Sequence, residues 1–242
     1  MIEISFLPET LLKIGNFNFT NTFLTSILTS FILILCLFFK KFLKKTKFYL
    51  LLKILIKEFL KLSESILGKK KLAEEVFPVV FTFFVFIGIA NLLELFPGFF
   101  GSFFVKKDGV QVPLLRSPNS DVNLPLALAI ISVFFSQFFI LKNFGFKKYF
   151  QGFFSLNPIK IFLKIFEIFS EFTRILSFAF RLFGNIFGGE ILLLIIGLLF
   201  PFLLPLPFMF LEFFVGLIQA FIFSALTLAF LKGSIIEKLK RS

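Results

Sequence analysis

Five stretches of this chain, at about residues 20–39, 76–95, 124–141, 159–200 and 208–231, are predominantly apolar. Each approaches or exceeds the roughly 20 residues that a helix needs to cross a bilayer. No other feature constrains the fold as strongly. Inside hydrocarbon every backbone N–H and C=O must find a partner within the protein, so spans of this kind are helices. The composition agrees: 58% of residues are apolar, 46 are Phe, only 17% are charged, and mean hydropathy is +0.99. A soluble surface must be largely polar, which excludes a water-soluble enzyme and a disordered chain. The expected fold is all-α and integral to a membrane: one domain over 1–242, with five crossings.

The charges sort themselves around these spans. Lys and Arg number 26 against 14 Asp and Glu, a net +12. The lysines cluster in segments beside apolar runs, as they do at a lipid headgroup layer, so the bilayer rather than nucleic acid is the expected partner. Residues 40–71 hold eleven Lys, and within them Lys53, Lys57, Lys61 and Glu64 recur at steps of four, four and three. Ile54, Leu55, Ile56, Phe59, Leu60 and Ile66 lie between. This predicts an amphipathic helix over about 47–67, lying in the interface or packed on a soluble partner. Segments 142–148 and 232–241, the second read as a basic tail, hold three and four further basic residues. The other side has only Lys13, Lys106, Lys107 and Arg116. The positive-inside rule then puts the N-terminus outside and the C-terminus in the cytoplasm.

Several chemistries are excluded. The chain has no His, so histidine metal sites, triads and proton relays are out. Cys36 is the sole cysteine and sits in an apolar run, where it reads as core or lipid-facing. No phosphate-binding or dinucleotide-binding glycine pattern is present, so no nucleotide, cofactor or metal is expected on this chain. No basic n-region precedes the first span, and no cleavable signal peptide is expected. The internal repeats that mark many transporters are absent.

The second span carries Asn91 and ends at Glu94, before Pro97–Gly98. A loop follows to Asp121, with a turn expected at Lys106–Lys107–Asp108–Gly109. Pro158 then opens a stretch that, at 1.5 Å per residue, runs on the order of 60 Å, twice the hydrocarbon thickness. It must cross obliquely. Pro201, Pro205 and Pro207 turn it into the last span, which makes a long tilted hairpin.

That long stretch carries a polar stripe. Lys160, Lys164, Glu167, Glu171 and Arg174 alternate at steps of four and three, and Ser177, Arg181 and Asn185 continue it. Pairs such as Lys164–Glu167 and Glu171–Arg174 can neutralise each other on an interfacial face. Arg181 differs, because almost uninterrupted apolar sequence follows it. A charge at such depth costs at least about 2.5–3.5 kcal/mol on insertion scales, and Arg cannot deprotonate. Function is the default reading, with a packing ion pair as the alternative. Gly184 and Gly188, four apart, allow close approach of another helix. Counted inward from the proline turn at 1.5 Å per residue, Glu212 lies about 8 Å deep, Glu190 about 15 Å, Gln219 about 18 Å and Arg181 about 29 Å. Glu190 is nine residues from Arg181 and so faces the other way. The order suggests a proton path that stops at a permanent cation. Glu167, Ser170 and Glu171 are candidates for a second path beyond it.

The runs Arg181-Leu182-Phe183-Gly184-Asn185, Gly189-Glu190 and Leu217-Ile218-Gln219-Ala220-Phe221-Ile222-Phe223 resemble subunit a of the F-type ATP synthases. Ser117-Pro118-Asn119-Ser120-Asp121-Val122-Asn123 resembles that family's segment ending in Asp-x-Asn. The span from Phe84 to Pro97, with Asn91-Leu92-Leu93, resembles its earlier span. The likeness runs from about Val76 to Leu231. It implies a non-catalytic stator subunit that translocates protons. Its partners would be a ring of small hairpin subunits, each with a membrane carboxyl, and a membrane subunit of the peripheral stalk. It implies that Arg181 faces the ring, and that Asn185, Glu190, Glu212 and Gln219 lie near the proton path. It further implies an inner path near Glu167, Ser170 and Arg174, with Asp121 and Asn123 as outer-loop candidates. Family members carry Glu or His at the position of Glu212; this chain has Glu at both 190 and 212. The short outer loops and the Asp121–Asn123 segment point to a bacterial cytoplasmic membrane rather than an organelle's. From the residues alone, a secondary transporter or ion channel, or a structural subunit of another membrane complex, also remains open.

Overall fold

The structure is a computed structural model, and it describes residues 8–15, 17–38, 47–95, 104–107, 110–113, 116–145, 158–200 and 203–241. Among these residues six α-helices make the body: α1 (Asn21–Phe38), α2 (Lys47–Leu67), α3 (Lys70–Leu95), α4 (Asn123–Phe144), α5 (Pro158–Leu199) and α6 (Pro205–Arg241). Lys70–Leu93, Asn123–Asn143, Ile165–Leu199 and Pro205–Ile236 are long and apolar enough to cross a membrane, and Asn21–Cys36 is a shorter apolar helix. The chain is an all-α integral membrane protein decorated by two small hairpins. In the first, β1 (Thr10–Ile14) pairs antiparallel with β2 (Phe17–Thr20); in the second, β3 (Phe104–Lys107) pairs with β4 (Val110–Pro113).

Several element boundaries depart from expectation. The turn expected at 106–109 narrows, because Lys106 and Lys107 belong to β3 and pair with Gln111 and Val110. Asp108 and Gly109 lie outside the described residues, as do Pro97–Gly98, Lys147–Lys148 and Pro201. The second span begins earlier than Val76, since α3 takes in Lys70 to Glu75. The basic tail from Lys232 is no tail: α6 continues through it to Arg241. Lys, Glu, Leu and Ile sustain a helix once it is nucleated, and the apolar residues Leu231 and Ile235 still pack on the core. α4 stops at Gly145, whose φ of +81° suits glycine and lets its N–H reach the Leu141 carbonyl.

An α-helix occupies 47–67, and the C-terminal part of its apolar face is covered from within the chain. Gly68, at φ +74°, folds α2 back on α3. Phe59 then sits among Phe77, Phe81, Phe84 and Phe221, with ring centroids 5.2–6.4 Å apart. Leu50, Leu51 and Ile54 remain exposed. At that end of the molecule Lys142 pairs with Glu75 at 2.6 Å. Glu58 accepts from Lys61, and that ammonium holds its carboxyl below the usual value.

The centre of the bundle is a seam between α3 and α6. On α6, Glu212, Gly216, Ala220, Phe223, Ser224, Thr227, Leu228 and Leu231 are all buried, a stripe at helical spacing. A Cβ on Gly88 would rest 3.8 Å from that of Ala220, and one on Gly216 would lie 3.0 Å from that of Asn91. Small residues let the two backbones meet closely, as membrane helices require when lipid supplies no hydrophobic drive. Phe83 of α3 and Phe178 of α5 both pack on Phe223 of α6, with centroids 5.5 and 5.0 Å apart. The Ser132 and Thr227 hydroxyls join α4 to α6 at 2.8 Å.

Gly216→Val should overpack this seam by about 1–3 kcal/mol and lower the thermal midpoint of the detergent-solubilised protein by several degrees. Gly197→Ala, where an added Cβ meets nothing within 4 Å, should leave that midpoint in place. Equal midpoints for both variants would count against the seam.

Candidate functional site

The polar residues of α5 divide between two faces. Ser170, Ser177, Arg181, Gly184, Asn185 and Gly188 are exposed, while Phe178, Ala179, Leu182 and Ile186 are core. Ser170 and Arg181 are eleven residues apart, close to three full turns, so they share one face. Neither Gly184 nor Gly188 has an atom within 4 Å of where its Cβ would stand. No helix among the described residues uses the close approach that their spacing allows; the stripe is open to a helix from outside the chain. Arg181 therefore stands on an apolar helix beside bare backbone, and among the described residues no carboxylate pairs with it. Gln219, half-buried on α6, lines a shallow pocket with Arg181, Phe178, Leu182 and Phe223. Two residues 38 positions apart in the chain are thus neighbours in the fold.

Glu190 lies on the other side of α5 and is buried, as its nine-residue spacing from Arg181 requires. Its partner is Arg116, in the segment before α4. Arg116 Nε stands 3.0 Å from Glu190 Oε1, and Nε and Nη2 each stand 3.3 Å from Oε2. Both side chains are about one-tenth exposed, at 9% and 10%. Glu212 packs directly on Gly189: a Cβ there would come within 2.6 Å of the Glu212 Cδ. Both Glu212 carboxyl oxygens are buried without a hydrogen-bond partner among the described residues.

This corrects the depth ladder. Counting residues from the turn set Glu212 well outside Glu190, yet the structure brings Glu212 to the level of Gly189. Gly189 lies ten residues from the end of α5 and Glu212 seven from the start of α6. An offset of about one turn, 4.5 Å, between the two arms aligns them. Arg116 is corrected too. It is not a loop charge in water but half of a buried ion pair.

A polar strut flanks this cluster. Asn91 Nδ2 donates to the Gly216 carbonyl at 2.9 Å, and Asn119 Nδ2 donates to Asn91 Oδ1 at 2.6 Å. Asn119 belongs to a short 3-10 turn, Pro118–Ser120, where Ser117 Oγ accepts from the Asn119 N–H at 3.3 Å. The outer-loop candidates hold this segment to α1. Thr22 Oγ1 donates to Asp121 Oδ2 at 3.1 Å, Asn123 donates to Asp121 Oδ1 at 2.9 Å, and the Arg116 N–H donates to Thr25 Oγ1 at 3.3 Å.

Beyond Arg181, towards the α5 N-terminus, the inner candidates part company. Glu171 turns towards α4 and hydrogen-bonds Gln137. Ser170 is exposed and Glu167 is half-buried. Arg174 lies 4.1 Å above the Phe230 ring. The side chains of Lys160 and Lys164 lie outside the described residues.

Sequence reasoning quoted Gly189 and Asn119 only within motifs and gave them no role of their own, and it passed over Gly216 and the pairing of Arg116. Gly216 had a readable signal, since Gly216 and Ala220 repeat the small-xxx-small spacing of Gly184 and Gly188. The Arg116–Glu190 pair had none, because its members are 74 residues apart.

The profile of the ATP synthase A chain family matches residues 21–232. The chain is similar to ATP synthase subunit a of Campylobacter hominis, at 33% identity over 179 residues, covering 72% of this chain and 70% of that one. It is similar to the subunit a of Helicobacter pylori strain Shi470 at 36% over 179 residues, with the same coverage. It is similar to that of Campylobacter jejuni strain 81-176 at 34% over 178 residues, covering 72% and 71%.

Gly189→Ala should force Glu212 out of its place and destabilise the protein by about 1–3 kcal/mol, whereas Gly188→Ala, on the open face, should fold normally. Thermal unfolding of the two purified variants checks this, and equal stability would contradict the Gly189–Glu212 contact.

Proposed function

This chain belongs to the ATP synthase A chain family, and on that premise we propose that it is the proton-translocating stator subunit of a rotary ATP synthase, with Arg181 separating two water-filled half-channels. One observation carries the role of Arg181. A permanent cation lies on the exposed face of an apolar helix, unpaired among the described residues and flanked by the bare backbone of Gly184 and Gly188. A charge left so in lipid is costly, and a partner's carboxylate arriving at that face would relieve the cost.

The partner that fits is a ring of small hairpin subunits, each with one membrane carboxyl, docked along Ser170, Arg181, Gly184, Asn185 and Gly188. A proton from the outer side reaches Glu190 and Glu212, passes Gln219 and protonates a ring carboxylate. The neutral carboxyl rotates into lipid. After nearly a full turn it returns to Arg181 from the other side and releases its proton towards Glu167, Ser170 and Glu171. Arg181 cannot carry the proton itself, so the two half-channels do not short-circuit. Each charge crossing 100 mV delivers about 2.3 kcal/mol, so several must cross for each ATP that the partner subunits make. The chain itself holds no nucleotide and catalyses no chemical step.

Five crossings, with α1 as the first, place the N-terminus outside a bacterial cytoplasmic membrane and the C-terminus in the cytoplasm. The lysine-rich ends of α2, α3 and α4 support that orientation. A membrane subunit of the peripheral stalk holds the chain against rotation.

The test is ATP-driven proton pumping in inverted membrane vesicles. Arg181→Ala should abolish pumping in an assembled complex, and Arg181→Lys should fall at least about tenfold because a compact ammonium does not replace the guanidinium fork. Unchanged pumping in both variants would make Arg181 a packing residue. Steady ion conduction by the purified chain alone in liposomes would favour a channel instead.

A further inference from the structure

We infer that Arg116 is a positioning residue of the outer half-channel: it keeps Glu190 in an ion pair and leaves Glu212 as the carboxyl that takes up and releases the proton. This rests on the stator reading and divides between two residues a role that the family resemblance assigns to both.

The geometry separates the two carboxyls. Both oxygens of Glu190 are engaged by one guanidinium, at 3.0 and 3.3 Å. That guanidinium is only 9% exposed, and its main-chain N–H is tied to Thr25 of α1. Arg stays charged at any relevant pH, so a proton placed on Glu190 would strand a buried cation. Glu212 carries no such commitment. Its oxygens are buried and without hydrogen-bond partners among the described residues, and they face the bare Gly189 backbone. The charged group described against it is Glu190 on α5; about one turn along α6 the neutral Asn91 amide of α3 meets the Gly216 carbonyl.

One cation thus neutralises one of two neighbouring carboxyls. With Glu190 and Arg116 paired, the cluster's net charge alternates between zero and minus one as Glu212 gains and loses a proton. Without Arg116 it would alternate between minus one and minus two, which a low-dielectric site disfavours. The transfer is an acid–base step. An O–H bond forms on a Glu212 oxygen as a hydronium on the outer side reverts to water. The same bond breaks as the proton moves, directly or through water, to a ring carboxylate. Nothing is oxidised or reduced.

The experiment compares ATP-driven pumping by the whole complex in inverted vesicles, normalised to assembled complex, for Arg116→Gln, Glu190→Gln, the double variant and Glu212→Gln. Each single change at 116 or 190 leaves a buried charge unmatched and should reduce pumping by roughly tenfold or more. The double variant removes both charges and should recover to at least about threefold above either single, the signature of a coupled pair. Glu212→Gln should stay near background. The pH profile gives a readout that packing alone would not move: Glu212→His should displace its limb, because a carboxyl is charged when deprotonated and an imidazole when protonated. Glu190→Asp should leave the limb where it is. An assembled double variant as inactive as Glu190→Gln would make Glu190 itself a proton carrier and overturn the inference, as would near-normal pumping by Glu212→Gln. Arg181→Ala, run alongside, distinguishes this from failure of the stator reading: normal pumping there sinks both, whereas loss there with a failed double variant sinks only the role of Arg116.

Discussion

Asn91 ties three distant parts of the chain together near one end of the α3–α6 seam. Its amide nitrogen donates to the backbone of Gly216, and its oxygen accepts from Asn119. In a membrane interior an unmet amide is expensive, so both ends of this side chain must be satisfied. Satisfying the nitrogen brings α6 to contact distance, where the glycine at 216 leaves just enough room. Satisfying the oxygen draws the 118–120 turn down onto α3. Arg116 lies two residues before that turn, and its reach to Glu190 follows from where the turn is held. The close α3–α6 seam, the placement of the segment before α4 and the reach of Arg116 to Glu190 therefore all lean on one short polar strut.

The same fold sorts three arginines of identical chemistry into different roles. Arg116 is buried and matched by Glu190. Arg174 lies over the Phe230 ring, where a guanidinium meets the negative face of an aromatic. Arg181 is exposed beside glycines that leave room for a partner's backbone. What separates them is the neighbour that each helix face receives. The open stripe of α5 is also the face that the described helices of the chain leave uncovered.

The helices themselves were legible in the sequence. The amphipathic helix at 47–67 and the long helix after Pro158 follow from hydrophobic periodicity and from proline at a first helical position. Helix ends were less legible. α6 runs past Lys232 because charged residues are good helix formers once packing has nucleated the turn before them. The two hairpins are built of strands of only four or five residues, too short a run for hydropathy to mark.

Sequence alone determined that the chain is a bundle of membrane helices, and that Arg181 and Glu190 face opposite ways. Backbone hydrogen bonding in lipid and the 3.6-residue period are local constraints, readable wherever apolar residues run. Only the tertiary structure decided that Glu190 belongs to Arg116, that Glu212 shares its level, and that Gly189 makes room for it. Those outcomes depend on a one-turn offset between two long helices and on a loop anchored 74 residues from the carboxylate it meets. Periodicity within one helix carries no information about the register of the next.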